Sequence, residues 1–195
     1  MMICIPIRKK FCGPLINNFR KAQKYADIVE IWFDELGHHL NDKNLKKIFR
    51  CKKNSLIYKS FGNEKNLNLL FKYSFEYLDL DLKTPNTLIQ KIKKNHPNIK
   101  LIISFHDFKK TPGDKILDSI AKRIIFKGAD IVKIATYANN FSDTLRMLNF
   151  LHKLSRHHAA ICLCMGLKGK LTRTAGHLFG NYLTYAALDG ISKTA

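Results

Sequence analysis

The sequence predicts an α/β fold, a (β/α)8 TIM barrel in which eight parallel strands alternate with seven helices and the final helix is lacking. Three observations lead there. The chain has 195 residues, 46% hydrophobic and 25% charged, which suffices for one sizeable core and is too short for two ordinary domains. No Pro-, Gly- or Ser-rich linker divides it, so residues 1–195 read as a single domain. Short apolar runs alternate with longer stretches of helical periodicity, the pattern of right-handed βαβ units on a parallel sheet. The turn after the first strand, RKKFCG, is not the Gly-rich turn that usually opens a doubly wound sheet.

The elements follow in order. ICIPI at 3–7 opens the series and is followed by a helical pattern at about 14–25. DIVEIW at 27–32 precedes a helix at 42–52, SLIYKS at 55–60 one at 64–73, and FEYLDLDL at 75–82 one at 85–95. KLIISF at 100–105 precedes a helix at 113–127, with Thr111-Pro112 as its start because proline suits an early helical position. DIVKIA at 130–135 and AAICLCM at 159–165 lead into helices at 141–155 and 172–180, and NYLTYAA at 181–187 closes the set. The strand runs are rich in Ile, Val, Tyr and Phe, which suit a pleated, half-buried surface.

Composition removes several function classes. The apolar fraction excludes a disordered chain, and no apolar run approaches the roughly 20 residues of a bilayer span. There are 34 Lys and Arg against 15 acids, for a net charge of +19. The basic residues comprise 27 Lys and only 7 Arg, strewn over almost every helix and turn. Nucleic-acid readers lean on clustered arginine for bidentate contacts, so a solvated surface is expected and specific nucleic-acid binding is not. Five cysteines, an odd number without zinc spacing or a signal-peptide leader, indicate reduced core thiols in a cytoplasmic protein. Alternation places Cys162 and Cys164 on one face of their strand.

In a barrel the chemistry lies at the C-terminal ends of the strands. Lys133, within GADIVKIAT, is flanked by Val132 and Ile134, where a buried ammonium is costly. It either snorkels, pairs with a carboxylate, or is held neutral as a nucleophile, its pKa lowered by desolvation. His106 leaves the apolar run KLIISF and is followed by Asp107, an arrangement for an acid/base whose ring the carboxylate orients, or for a capped histidine at a strand end. Glu30 is a partner for a buried cation or a charge facing outward. In MGLKGKLTR at 165–173, two glycines give a flexible loop that can turn N–H groups toward an anion, and Arg173 can pair with a carboxylate. Lysine, histidine and arginine on three strand ends suggest imine chemistry on a small anionic ketone or aldehyde.

The blocks ISFHDFKKTPG at 103–113, KGADIVKIAT at 127–136 and CMGLKGKLTR at 164–173 closely resemble type I 3-dehydroquinate dehydratase. VEIWFDEL at 29–36 and YLDLDL at 77–82 match weaker blocks in the same order. The resemblance implies a lyase of the shikimate pathway, without metal or diffusible cofactor. By it Lys133 condenses with the C3 ketone of 3-dehydroquinate, and His106 takes the C2 proton and protonates the departing C1 hydroxyl. Glu30 contacts substrate and Arg173 holds its carboxylate. The partners expected are the small-molecule substrate and a second copy of the chain in a homodimer.

The chain departs from the family pattern at several substrate-binding positions. Glu-x-Arg becomes Glu30-Ile31-Trp32, so an indole replaces a cation. Lys59 stands where the third strand ends in arginine, keeping the charge and losing the planar fork. The acid after it has only a shifted counterpart, Glu64. Thr194 matches the serine of a Ser-Ala-Pro-Gly-Gln loop whose glutamine, with the eighth helix, lies past Ala195. From this the outer faces of the first and eighth strands are expected to be poorly covered, as in a fragment of a longer product, unless another subunit covers the gap or the fold is marginal. Two other classes remain at this point: an impaired relative acting as a binding or scaffold protein, and another imine-forming barrel such as an aldolase.

Overall fold

The computed structural model describes residues 1–188, so Thr194 lies outside the described residues. The strands are β1 (Met2–Ile7), β2 (Ile28–Ile31), β3 (Ser55–Ser60), β4 (Tyr77–Asp81), β5 (Lys100–His106), β6 (Ile131–Tyr137), β7 (Ala160–Met165) and β8 (Leu183–Tyr185). All neighbours pair in parallel, in the order β7-β6-β5-β4-β3-β2-β1-β8, and a bridge from Ala160 to Asn181 brings the two ends together. The expected barrel is therefore present, and no helix follows β8 among the described residues.

The helices are α1 (Cys12–Ala22), α2 (Asp42–Phe49), α3 (Glu64–Leu70), α4 (Asn86–Asn95), α5 (Asp114–Phe126), α6 (Phe141–Ser155) and α7 (Lys170–Thr174). The abundant asparagine is put to use at their starts. Asn41 and Asn63 accept from the first-turn N–H groups of α2 and α3, and Asn140 with Asp143 forms a reciprocal capping box on α6.

Three boundaries differ from expectation. Helix α5 begins at Asp114 behind Gly113, because the Thr111 hydroxyl is turned inward to Thr136 at 2.8 Å and the Tyr137 carbonyl at 2.9 Å. The helix expected at 172–180 splits into α7 and a 3-10 turn at Gly176–Phe179 that ends on left-handed Gly180. A second 3-10 stretch, Phe33–His39, was not anticipated; the Asp34 carboxylate holds it by accepting from the Tyr58 hydroxyl and the Phe61 N–H, both at 2.7 Å.

Residues two apart on a strand share a face, and this fixes what lies inside. Cys4, Ile28, Ile57, Tyr77, Ile102, Ile131, Ile161 and Leu183 form an apolar floor across the barrel. One step nearer the C-terminal ends, the same alternation gives Glu30, Lys59, Asp79, Ser104, Lys133 and Tyr185, a predominantly polar ring. The other faces of the strands pack on the helices in the larger core, which takes in Ile5, Ile7, Leu15, Phe19, Cys162 and Cys164. The two thiols share that outer face as expected. The expected exposure of the outer faces of β1 and β8 is not found, since Ile5, Ile7 and Thr184 are all buried.

Among the described residues, the joint between β7 and β8 is made by one backbone bond, from the Tyr182 N–H to the Ala160 carbonyl at 2.7 Å, and by one side chain. Asn181 accepts from the Cys162 N–H at 2.9 Å and donates to the Cys162 carbonyl at 3.3 Å, as a paired strand residue would.

Candidate active site

Lys133 reaches the barrel axis from the middle of β6. Its ammonium donates to Asp79 Oδ2 at 2.7 Å, to Glu30 Oε2 at 3.0 Å and to the Tyr185 hydroxyl at 2.7 Å. The Tyr185 hydroxyl in turn donates to Glu30 Oε2 at 2.6 Å. On the far side of Asp79, Lys59 donates to Oδ1 at 2.8 Å and to Ser104 Oγ at 2.7 Å. Two lysines thus face two carboxylates, Glu30, Lys59, Asp79 and Lys133 each being 4% exposed or less. Over the apolar floor such charges persist only because each is paired and hydrogen-bonded.

This network reverses one expectation. Burial does pull the Lys133 pKa down, but Asp79 and then Glu30 outweigh it, and the net shift is upward. Lys133 is an ammonium in the free protein, carboxylate-paired rather than held neutral. Asp79 shows the converse: burial would raise its pKa, yet Lys133 and Lys59 hold it well below the ordinary carboxylate range.

His106 ends β5, in register with Ala135, two residues beyond Lys133. Burial, reinforced by the positive Lys133 and Lys59, pushes its pKa down to about 3, so the ring is a neutral imidazole at physiological pH. It lies nearly parallel to the Phe108 ring, at an interplanar angle of 13°, and makes no hydrogen bond among the described residues. Asp107 does not orient it, contrary to expectation. The Asp107 carboxylate accepts from the Lys109 and Lys110 N–H groups at 2.9 and 3.1 Å and shapes the loop instead.

One cavity at the C-terminal mouth is lined by Lys133, His106, Glu30, Trp32 and Arg173 together with Tyr185, so five of the expected site residues converge. Lys59 sits in the buried network and lines the adjoining part of the mouth beside Trp32 and His106. Glu64 is elsewhere, paired with Lys91 on the surface. Trp32 donates from Nε1 to Glu30 Oε1 at 2.9 Å, and the Arg8 guanidinium lies 4.2 Å above its ring. Arg173 donates to the Cys164 carbonyl at 3.1 Å. In the glycine loop before it, the N–H groups of Gly169, Lys170 and Thr172 are taken by the loop's own carbonyls and so do not face an anion. Gly169 is required for close approach: a Cβ there would come within 2.3 Å of the Cys164 carbonyl oxygen.

Sequence reasoning missed Asp79, Tyr185 and Arg8. The period-2 pattern of YLDLDL puts Asp79 on the face opposite Leu78 and Leu80, which was the available signal. Among the described residues no group of three or more His, Cys, Asp or Glu forms a metal-binding cluster, and no helix is long and apolar enough to cross a membrane.

The family model for type I 3-dehydroquinase matches residues 3–195. The chain belongs to the type I 3-dehydroquinase family. Among relatives of this dehydroquinase, the 3-dehydroquinate dehydratase of Methanococcus maripaludis strain S2 is 36% identical, over 97% of this chain and 90% of its own length. That of Methanocaldococcus jannaschii is 32% identical over 98% and 91%. Among solved structures, the 3-dehydroquinate dehydratase of Aquifex aeolicus VF5 superposes with a TM-score of 0.80 at 29% identity, covering 97% of this chain and 91% of that one. The type I enzyme of Clostridium difficile, solved with covalently modified comenic acid, gives 0.85 at 24% identity, covering 98% and 85%, a likeness of fold.

Proposed function

We propose that this dehydroquinase converts 3-dehydroquinate to 3-dehydroshikimate and water through an imine on Lys133, within the shikimate pathway. The observation that carries the reading is the juxtaposition of a buried ammonium, held between two carboxylates, with an unbonded neutral imidazole on one cavity.

The steps follow from the electrostatics. Lys133 must first lose a proton, for which Glu30 is the adjacent acceptor, reached directly and through Tyr185. The amine then adds to C3 of the ketone, and the proton held by Glu30 returns to the carbinol oxygen, which leaves as water and gives the protonated imine. That iminium carries the same unit charge as the ammonium it replaces, so Asp79 and Glu30 regain their counter-charge when it forms. The electron sink makes the C2 proton acidic, and neutral His106 is the base that takes it. Elimination expels the C1 hydroxyl, which leaves as water with the proton that His106 returns. Hydrolysis of the imine frees the product and restores Lys133. The substrate carboxylate brings a negative charge into a site where the lysines depress His106, and so raises the basicity of the ring when it is needed.

Arg173 is the carboxylate anchor in this reading, with Lys59 holding Asp79 in place. The enzyme works on a small molecule rather than a nucleic acid, in a reducing cytoplasm, a setting supported by its free cysteines.

Borohydride reduction in the presence of 3-dehydroquinate should leave a covalent adduct on Lys133, seen by mass spectrometry, and none in Lys133→Ala. His106→Ala should still form the adduct while turnover falls by about 10² or more. Absence of an adduct from the folded wild-type protein would remove the reading.

A further inference from the structure

We propose that Arg8, at the end of β1, is the donor that recognises a ring hydroxyl of the substrate, and so is a specificity-determining residue of this site. The proposal rests on the reaction above. Beyond the reacting ketone, 3-dehydroquinate offers two kinds of polar group, a carboxylate and ring hydroxyls. The cavity is lined by two guanidiniums, and their surroundings differ.

Arg173 bonds a backbone carbonyl and has no carboxylate within salt-bridge distance among the described residues. Its charge is uncompensated, as the seat of an anion requires. Arg8 is already paired with a carboxylate. Its Nε and Nη2 both donate to Glu35 Oε1, and Nη1 has no partner among the described residues. A neutral ion pair attracts a second anion weakly, yet a free N–H of a charged group remains a strong donor to a hydroxyl oxygen.

The donor is also held in place. Arg8 lies 4.2 Å over the Trp32 ring, a separation at which the cation is drawn to the indole face. Trp32 is itself fixed by its 2.9 Å bond to Glu30 and by an edge contact with Phe61 at 5.7 Å. A guanidinium clamped between a carboxylate and a fixed ring has little rotamer freedom left to lose on binding. The chain thus carries at residue 8 a positive group that its sequence lacks at residue 32.

The test compares two ketones in the trapping experiment. One is 3-dehydroquinate; the other is 3-oxocyclohexane-1-carboxylate, which keeps the ketone and the carboxylate and lacks every ring hydroxyl. Arg8→Ala should raise the half-saturating concentration of 3-dehydroquinate about 10-fold while shifting that of the analogue less than about twofold. Arg8→Gln, which retains an amide donor, should fall between. Arg173→Ala should weaken both ketones. If Arg8→Ala affects neither ketone, or both equally, the proposal is overturned and the imine chemistry stands. If the wild-type protein forms no adduct with either, the reaction itself is wrong and the role of Arg8 falls with it.

Discussion

Asp79 is the residue on which most of the site's charge turns. It is fully buried, binds both lysines, and contributes more than Glu30 to holding Lys133 protonated. Asp79→Asn should therefore lower the Lys133 pKa and move the pH dependence of borohydride trapping toward acid. Turnover should fall, because the iminium loses its nearest counter-charge, and an unmoved trapping profile would show that Asp79 acts only on the fold. The same change leaves Lys59 without a buried anion, so a loss of about 3–5 kcal/mol in stability should appear in denaturant titrations. Lys133 and His106 were legible in the sequence because the first interrupts an apolar run and the second ends one. The sense of the Lys133 shift was not, since it depends on two carboxylates that lie 54 and 103 positions away in the chain.

At the scale of elements, the segment between β7 and α7 shows how tightly a small turn can set the position of Arg173. Gly169 has backbone φ near −81°, so no left-handed conformation requires the glycine; contact does. Gly169→Ala should push the Cys164 carbonyl aside, release Arg173 from it, and raise KM about 10-fold with kcat nearly kept, at a stability cost of about 1–3 kcal/mol. Gly13→Ala is the matched control, because a Cβ there meets nothing within 4 Å and both constants should hold. Strand positions were readable because a central parallel strand is an apolar run whichever way it faces. The break after α7 was not readable. It falls at Ala175, where the next residue, Gly176, packs against Asn181 and accepts from its N–H at 3.0 Å, a contact that no helical periodicity encodes.

For the molecule as a whole, the buried titrating groups make stability fall in acid. His106 has its pKa pushed down to about 3 in the folded chain against about 6.5 unfolded, so below about pH 6.5 the unfolded chain binds the extra proton. Stability should begin to drop there, by at most about 1.4 kcal/mol per pH unit from this residue. Asp79, also depressed, should steepen the loss below about pH 4. Melting temperatures from pH 8 to 4 should show the first slope, and His106→Asn should flatten it. The outer surface tells a separate story: Lys21, Lys46, Lys94 and Lys153 all sit in last turns of their helices, where a cation complements the helix dipole, so part of the +19 charge supports the ring of helices. The seam between β7 and β8 gives the barrel a direction of failure. Where other strand pairs share a ladder of backbone bonds, this one has, among the described residues, a single backbone bond from Tyr182 to Ala160 beside the amide of Asn181, and β8 spans only Leu183–Tyr185. A cylinder joined by so short a seam opens along it, so deuterium should enter the β8 amides and Cys162 well before β4, β5 and β6. Because Tyr185 lies on that strand, each opening also unlatches the hydroxyl from Lys133, coupling the breathing of the wall to the readiness of the amine.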